Sequence, residues 1–203
     1  MEQVTINKQA KLSEHLALPS EAALSHSCVP AVASDQRSSA SELDGLHLSP
    51  HFTLGELTKT NVKGISNVPP HAAVLNLKNL CENWLEPLRY NYFLLYCRQF
   101  GDEPYEKSKN VKPILINSGY RSEAVNKAIG GVKGSNHLTG CAVDIRVTGI
   151  EQAIRYAATL LDIADGGKDF DELLIERSPK GTYWVHFAVR PKENRRKVRF
   201  IQT

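Results

Sequence analysis

The stretch Ser135-Asn-His137-Leu-Thr-Gly140-Cys-Ala-Val-Asp144-Ile145, with Trp184-Val-His186 further on, constrains this chain more than any other feature. Cys141 to Val147 reads as a central strand. Side chains alternate along a strand, so Ala142 and Asp144 share one face while Cys141 and Val143 share the other. Gly140 is a hinge that lets the loop bearing His137 fold back over the strand's end toward Asp144. In a later strand, Trp184, His186 and Ala188 share a face, and His186 can close a triangle with His137 and Asp144. Two imidazoles and one carboxylate leave one open position on a tetrahedral Zn²⁺, the pattern of a catalytic site. A four-ligand structural site would need cysteine pairs, and no C-x-x-C occurs. The expectation is one zinc per chain.

The rest of the chain supplies elements to hold these residues. Residues 1–45 contain Ser-Ser-Ala-Ser at 38–41 and show weak periodicity, so they read as a flexible N-terminal arm before one domain over 46–203. His15, His26 and Cys28 lie in that arm and are taken as incidental. Thr53 with Glu56 forms a capping box, which predicts a short helix from about Leu54. Pro69-Pro70 precedes a long helix in which Val74, Leu77, Leu80, Cys81, Trp84, Leu88, Tyr92 and Leu95 recur at helical spacing. Pro87 should kink or divide it. Ile114 to Ser118 reads as a short buried strand. After a turn, Ser122 caps a short helix that ends at Gly130-Gly131. Ile150, Ala153, Ile154, Ala157, Leu160 and Leu161 mark a second amphipathic helix. Phe170 to Glu176 and Tyr183 to Val189 read as a hairpin through Ser178-Pro-Lys-Gly181. Helices followed by a mainly antiparallel sheet give an α+β fold.

The balance of 25 Lys and Arg against 22 Asp and Glu leaves a net charge of +3, too mild to argue for a nucleic-acid partner. The basic residues Lys192, Arg195, Arg196, Lys197 and Arg199 read as a solvated tail, with weak attraction to an anionic surface as the functional reading. Four cysteines show no framework spacing and read as free thiols. No apolar run suggests a membrane span or a secretory signal. Oligomeric state is not set by any sequence feature.

The pattern S-x-H-x-x-G-x-A-x-D-I, preceded by Ser118-Gly-Tyr-Arg-Ser122 and followed by Trp184-Val-His186, resembles the zinc D-Ala-D-Ala carboxypeptidases and their relatives of the Hedgehog/DD-peptidase fold. The resemblance covers about residues 46–190, including Leu48-Ser-Pro-His-Phe-Thr-Leu54. It implies that His137, Asp144 and His186 ligate zinc and that Arg121 faces the substrate. It also implies a peptidoglycan stem peptide as substrate, cut at D-Ala-D-Ala or at a cross-bridge. Such a substrate would require release by lysis or another export route.

Zinc lowers the pKa of bound water from 15.7 toward about 7 and polarises a carbonyl. Arg121 could stabilise an oxyanion or hold a carboxylate. Ser135 could bond substrate or cap a turn, and Asn126 could line the cleft. The general base is where the chain departs from its relatives. Many of them carry Glu three residues before the last histidine, where this chain has Tyr183. Glu176, in the strand paired with that of His186, is the candidate base and acid. Two alternatives remain beside the peptidase. One is a catalytically inactive zinc-binding module that recognises wall peptide or protein; the other is a phage-type endolysin.

Overall fold

The structure, a computed structural model, describes residues 45–203. Apart from Gly45, the arm expected over 1–45 lies outside the described residues. A short antiparallel pair, β1 (His47–Ser49) and β2 (Phe52–Thr53), leads into helix α1 (Leu54–Thr58). The expected capping box is present: Thr53 accepts from the Glu56 amide, and Glu56 accepts from the Thr53 amide.

The long helical run divides as Pro87 predicts. Helix α2 (His71–Leu80) passes through a π-turn (Cys81–Leu85) into α3 (Glu86–Tyr92), and a second π-turn (Phe93–Cys97) follows. Proline cannot donate to the helical ladder, and the wider turn before it absorbs the mismatch. Leu77, Leu80, Cys81, Trp84, Leu88 and Tyr92 are buried as expected, whereas Leu95 is exposed. Strand β3 (Ile116–Ser118) is shorter than expected and only half-buried, because it forms a sheet edge; Ile114 is buried just before it. Ser122 caps α4 (Glu123–Ala128) through the Val125 amide. Strand β4 (Ala142–Arg146), helix α5 (Ile150–Asp165), and the hairpin of β5 (Glu172–Arg177) and β6 (Tyr183–Ala188) follow. In α5, Ala153, Tyr156, Ala157 and Leu160 are buried while Ile154 faces solvent.

The sequence reading treats the basic C-terminus as a tail. Instead, β7 (Lys197–Gln202) pairs parallel with β5 at the sheet edge. Its cations have specific partners: Arg195 binds Asp171, Lys197 binds Glu172, and Arg196 binds Asp165. Carboxylates at the end of α5 and the start of β5, of which Asp171 is fully buried, fix this segment.

The five-stranded sheet has the order β3-β4-β6-β5-β7, antiparallel except for its last pair. This is the expected α+β architecture with a mainly antiparallel sheet. Strand alternation gives the sheet two faces. Val143, Ile145, Leu173, Ile175, Val185 and Phe187 pack with Leu77, Trp84, Tyr156 and Leu160 of the helices. Asp144, Glu176 and His186 project from the other face. Cys81, Cys97 and Cys141 are free thiols, as expected. Among the described residues no helix is long and apolar enough to cross a membrane.

Candidate metal centre

Two tight turns deliver the first histidine. His137 lies in a 3₁₀ turn (Asn136–Thr139) whose N-cap, Ser135, accepts from the His137 amide at 3.3 Å. Gly140 ends the turn with φ +69°, and a Cβ there would stand 2.4 Å from the Ala73 carbonyl oxygen. Only glycine meets both demands. At Gly119 a Cβ would stand 2.3 Å from the Leu57 carbonyl oxygen. The two turns bind each other. His137 Nδ1 lies 2.6 Å from the Gly119 carbonyl oxygen, and the Arg121 amide donates to the His137 carbonyl at 3.0 Å. A carbonyl can only accept, so His137 carries its proton on Nδ1 and turns the Nε2 lone pair toward the sheet.

The sheet register supplies the other two groups. Asp144 of β4 stands directly opposite His186 of β6. Asp144 Oδ1 is 2.9 Å from His186 Nδ1 and 3.3 Å from His137 Nε2. All three side chains are buried, and one donor atom from each lies within 4.8 Å of the others. This donor set, two imidazoles and a carboxylate, fits a divalent metal with a position left open.

Electrostatics bind the cluster together. Burial opposes ionisation of Asp144, but the charge and hydrogen bonds of His137 and His186 outweigh it and hold the carboxyl well below the usual range. Burial likewise opposes a charge on His186. The hydrogen bond to Asp144 and the nearby Glu172 carboxylate outweigh it, and the imidazole is pushed up to about 9.

Arg121 joins the centre from the side. Its guanidinium pairs with Asp144 Oδ2, and its Nε donates to Ser118 Oγ at 2.8 Å. Asn126, expected on the cleft wall, is 4% exposed, and its amide donates to the Val132 carbonyl at 2.9 Å. It braces the loop leading to Ser135 and His137. Ser135 holds its turn in the capping role weighed from sequence.

Leu174, rather than Glu176, stands opposite His186. Glu172 and Glu176 flank Leu174 on the same face, each diagonal to His186, within reach of a long side chain. Glu176 is half-buried, and burial raises its carboxyl above the ordinary value. Among the described residues it has no hydrogen-bond or ion-pair partner. Glu172 approaches His186 Nε2 at 3.6 Å, and this contact with Lys197's help brings its pKa to about 2.

Sequence reasoning missed Glu172, although its two-residue spacing from Leu174 and Glu176 carried the signal. It also missed Arg146, two residues beyond Asp144 on the same face. Arg146 is exposed and unpaired among the described residues. It lines a groove of about 390 Å³ with Lys59, Ser118 and Arg121, and a larger one of about 1220 Å³ with Tyr96, Thr182 and Tyr183.

The α+β sheet has one helix-covered face and carries on the other a buried His/Asp/His cluster able to hold a metal ion. Residues 105–175 match the Peptidase M15 family model. The match spans about a third of the chain and supports a metallopeptidase in general. It includes Arg121, His137, Asp144 and Glu172; Glu176 and His186 follow it. No curated protein matches the chain.

Proposed function

We propose that the protein is a zinc peptidase that hydrolyses peptidoglycan stem peptides, as a D-Ala-D-Ala carboxypeptidase or a related endopeptidase. The observation that carries this reading is the convergence of His137 Nε2, Asp144 Oδ1 and His186 Nδ1 near Glu176, a carboxylate without a partner among the described residues. His137, Asp144 and His186 would hold the zinc, one per chain. When bound, zinc supplies a Lewis acid and lowers the pKa of a coordinated water.

The chain's own groups divide the remaining work. Glu176 takes a proton from the attacking water and returns it to the leaving amine. A carboxyl raised by burial suits this exchange, because catalysis favours a pKa drawn toward the working pH. Arg121 holds Asp144 so that one carboxylate oxygen faces the histidines, and its remaining N–H donors face charge developing on the scissile carbonyl. Arg146 offers an unpaired fork to a carboxylate of the peptide. Ser135 acts through the turn that presents His137, and Asn126 through the loop before it.

The test is mass spectrometry of purified peptidoglycan incubated with the zinc-supplemented protein. Loss of a terminal D-alanine or cleavage of a cross-bridge supports the reading and identifies the bond. Intact stem peptides with zinc bound refute hydrolysis and leave a recognition module.

A further inference from the structure

Behind His186, on the side away from Asp144, lies a polar cluster that the ligand set and Glu176 leave unexplained. Glu172 Oε2 stands 3.6 Å from His186 Nε2. Three other side chains fix that carboxylate. Lys197 Nζ is 2.8 Å from Oε1, Arg195 is 3.1 Å from Oε1, and Asn136 Nδ2 is 3.2 Å from Oε2. Asn136 also donates to Asp171 at 2.8 Å. Asp171 is fully buried and accepts two bonds from Arg195, at 2.7 and 2.6 Å, with Arg190 at 3.6 Å.

We propose that Glu172 is the outer carboxylate of the metal centre, a positioning residue that acts on the metal through His186. Its carboxylate faces Nε2–H as a charge partner and thereby keeps Nδ1 directed at Asp144. This inference rests on the metal-site reading above. A ligating imidazole uses one nitrogen for the metal, and the other carries a proton that needs an acceptor. A fixed carboxylate there sets the tautomer, holds the ring plane and raises the basicity of the ligating nitrogen. Glu172 has the position and the rigidity for this task. Its separation from Nε2 is that of a charge pair rather than a full hydrogen bond.

The cluster also links the two histidines. Asn136 immediately precedes His137, while Glu172 touches His186, and Asn136 bonds both acidic residues of the cluster. The cations that hold it, Arg190, Arg195 and Lys197, all come from the C-terminal segment. Strand β7 and its approach are therefore part of the metal centre's support. The competing view is that the cluster only fastens β7 to β5. A fastener would change stability without selectively changing the metal's environment.

The test measures zinc affinity of the full chain by competition with a chromophoric chelator, alongside melting of the metal-free protein. Glu172→Ala should weaken zinc binding about 10- to 100-fold, the range for lost outer partners of metal ligands. Glu172→Gln keeps the shape of the side chain but removes the charge facing Nε2–H, so it should also weaken zinc binding, by no more than Glu172→Ala does. In ¹⁵N-resolved imidazole spectra of the zinc-loaded protein, Glu172→Ala should shift the His186 Nε2–H signal and leave His137 in place. Equal zinc affinity in wild type and Glu172→Ala overturns the proposal. If Glu172→Ala does not fold, Lys197→Ala decides: it should weaken zinc by a few-fold without lowering metal-free stability in proportion, and unchanged affinity overturns the proposal. A wild-type protein without zinc affinity overturns the metal-site reading itself, before any substitution is compared.

Discussion

His137 and His186 face the same carboxylate oxygen, but the chain secures them by different means. His137 is held by backbone: a carbonyl from the Gly119 turn takes its Nδ1–H, and Gly119 and Gly140 let the two turns pack against the Leu57 and Ala73 carbonyls. His186 is held by its strand register opposite Asp144 and by charged side chains behind it, with Glu172 tied to Lys197 and Arg195. The backbone arrangement is local and intolerant of any added atom. The charged arrangement spans distant segments and responds to proton concentration. The difference teaches that one metal centre can combine a sterically fixed ligand with an electrostatically adjusted one.

The largest expected effect concerns the candidate base, diagonal to His186 on the paired strand. Glu176→Gln preserves shape but removes the titrating group, so it should retain zinc and lose about 10²- to 10⁴-fold in peptide hydrolysis. Steady-state turnover on a stem peptide checks this; turnover equal to wild type would assign the base to another residue. Next comes the backbone side. Gly140→Ala forces a left-handed φ on an L residue and drives its Cβ against the Ala73 carbonyl. It should destabilise the fold by about 2 kcal/mol or more, measured by chemical denaturation. A change near zero would show that the turn can shift freely.

The glycines explain why the His137 half was legible in sequence. Ser118-Gly-Tyr-Arg-Ser122 and Ser135 to Asp144 are contiguous patterns whose spacing encodes their turns and strand. The hairpin of β5 and β6 was equally readable, because alternation and the Ser178–Gly181 turn specify it locally. The His186 support was not. Its partners Asp171, Arg190, Arg195 and Lys197 are ordinary surface types in sequence, and only the parallel pairing of β7 with β5 makes them neighbours. Read locally, the segment has the charge of a solvated tail. Register details were also out of reach: sequence assigns Glu176 to the strand paired with that of His186, but not the register that puts Leu174 directly opposite and Glu176 diagonal.

Acid should separate the two halves. Burial opposes ionisation of Asp171, but hydrogen bonds from Arg195 and Asn136 outweigh it and lower its pKa from 3.8. A depressed carboxyl contributes stability that is complete above its unfolded value and is lost as pH falls through the lower folded value. Asp171→Asn should therefore remove part of the acid-side decline in stability seen in wild type. Parallel denaturation curves from neutral to strongly acid pH test this, and identical acid slopes would exclude Asp171 as a contributor. The smallest effect concerns substrate. Arg146→Ala should raise KM for a stem peptide bearing a free carboxylate by about tenfold, with kcat and zinc content nearly unchanged, since it removes a charge-assisted contact outside the metal centre. An equal effect on the corresponding peptide amide would show that Arg146 does not read the carboxylate.

The central claim is that His137, Asp144 and His186 form one zinc site. Zinc per chain, measured by elemental mass spectrometry after metal loading and desalting, tests it most directly. Wild type should retain about one zinc, as a three-ligand site requires. His137→Ala, Asp144→Ala and His186→Ala, each verified as folded by circular dichroism, should retain almost none. Equal zinc in wild type and all three folded variants would contradict the account.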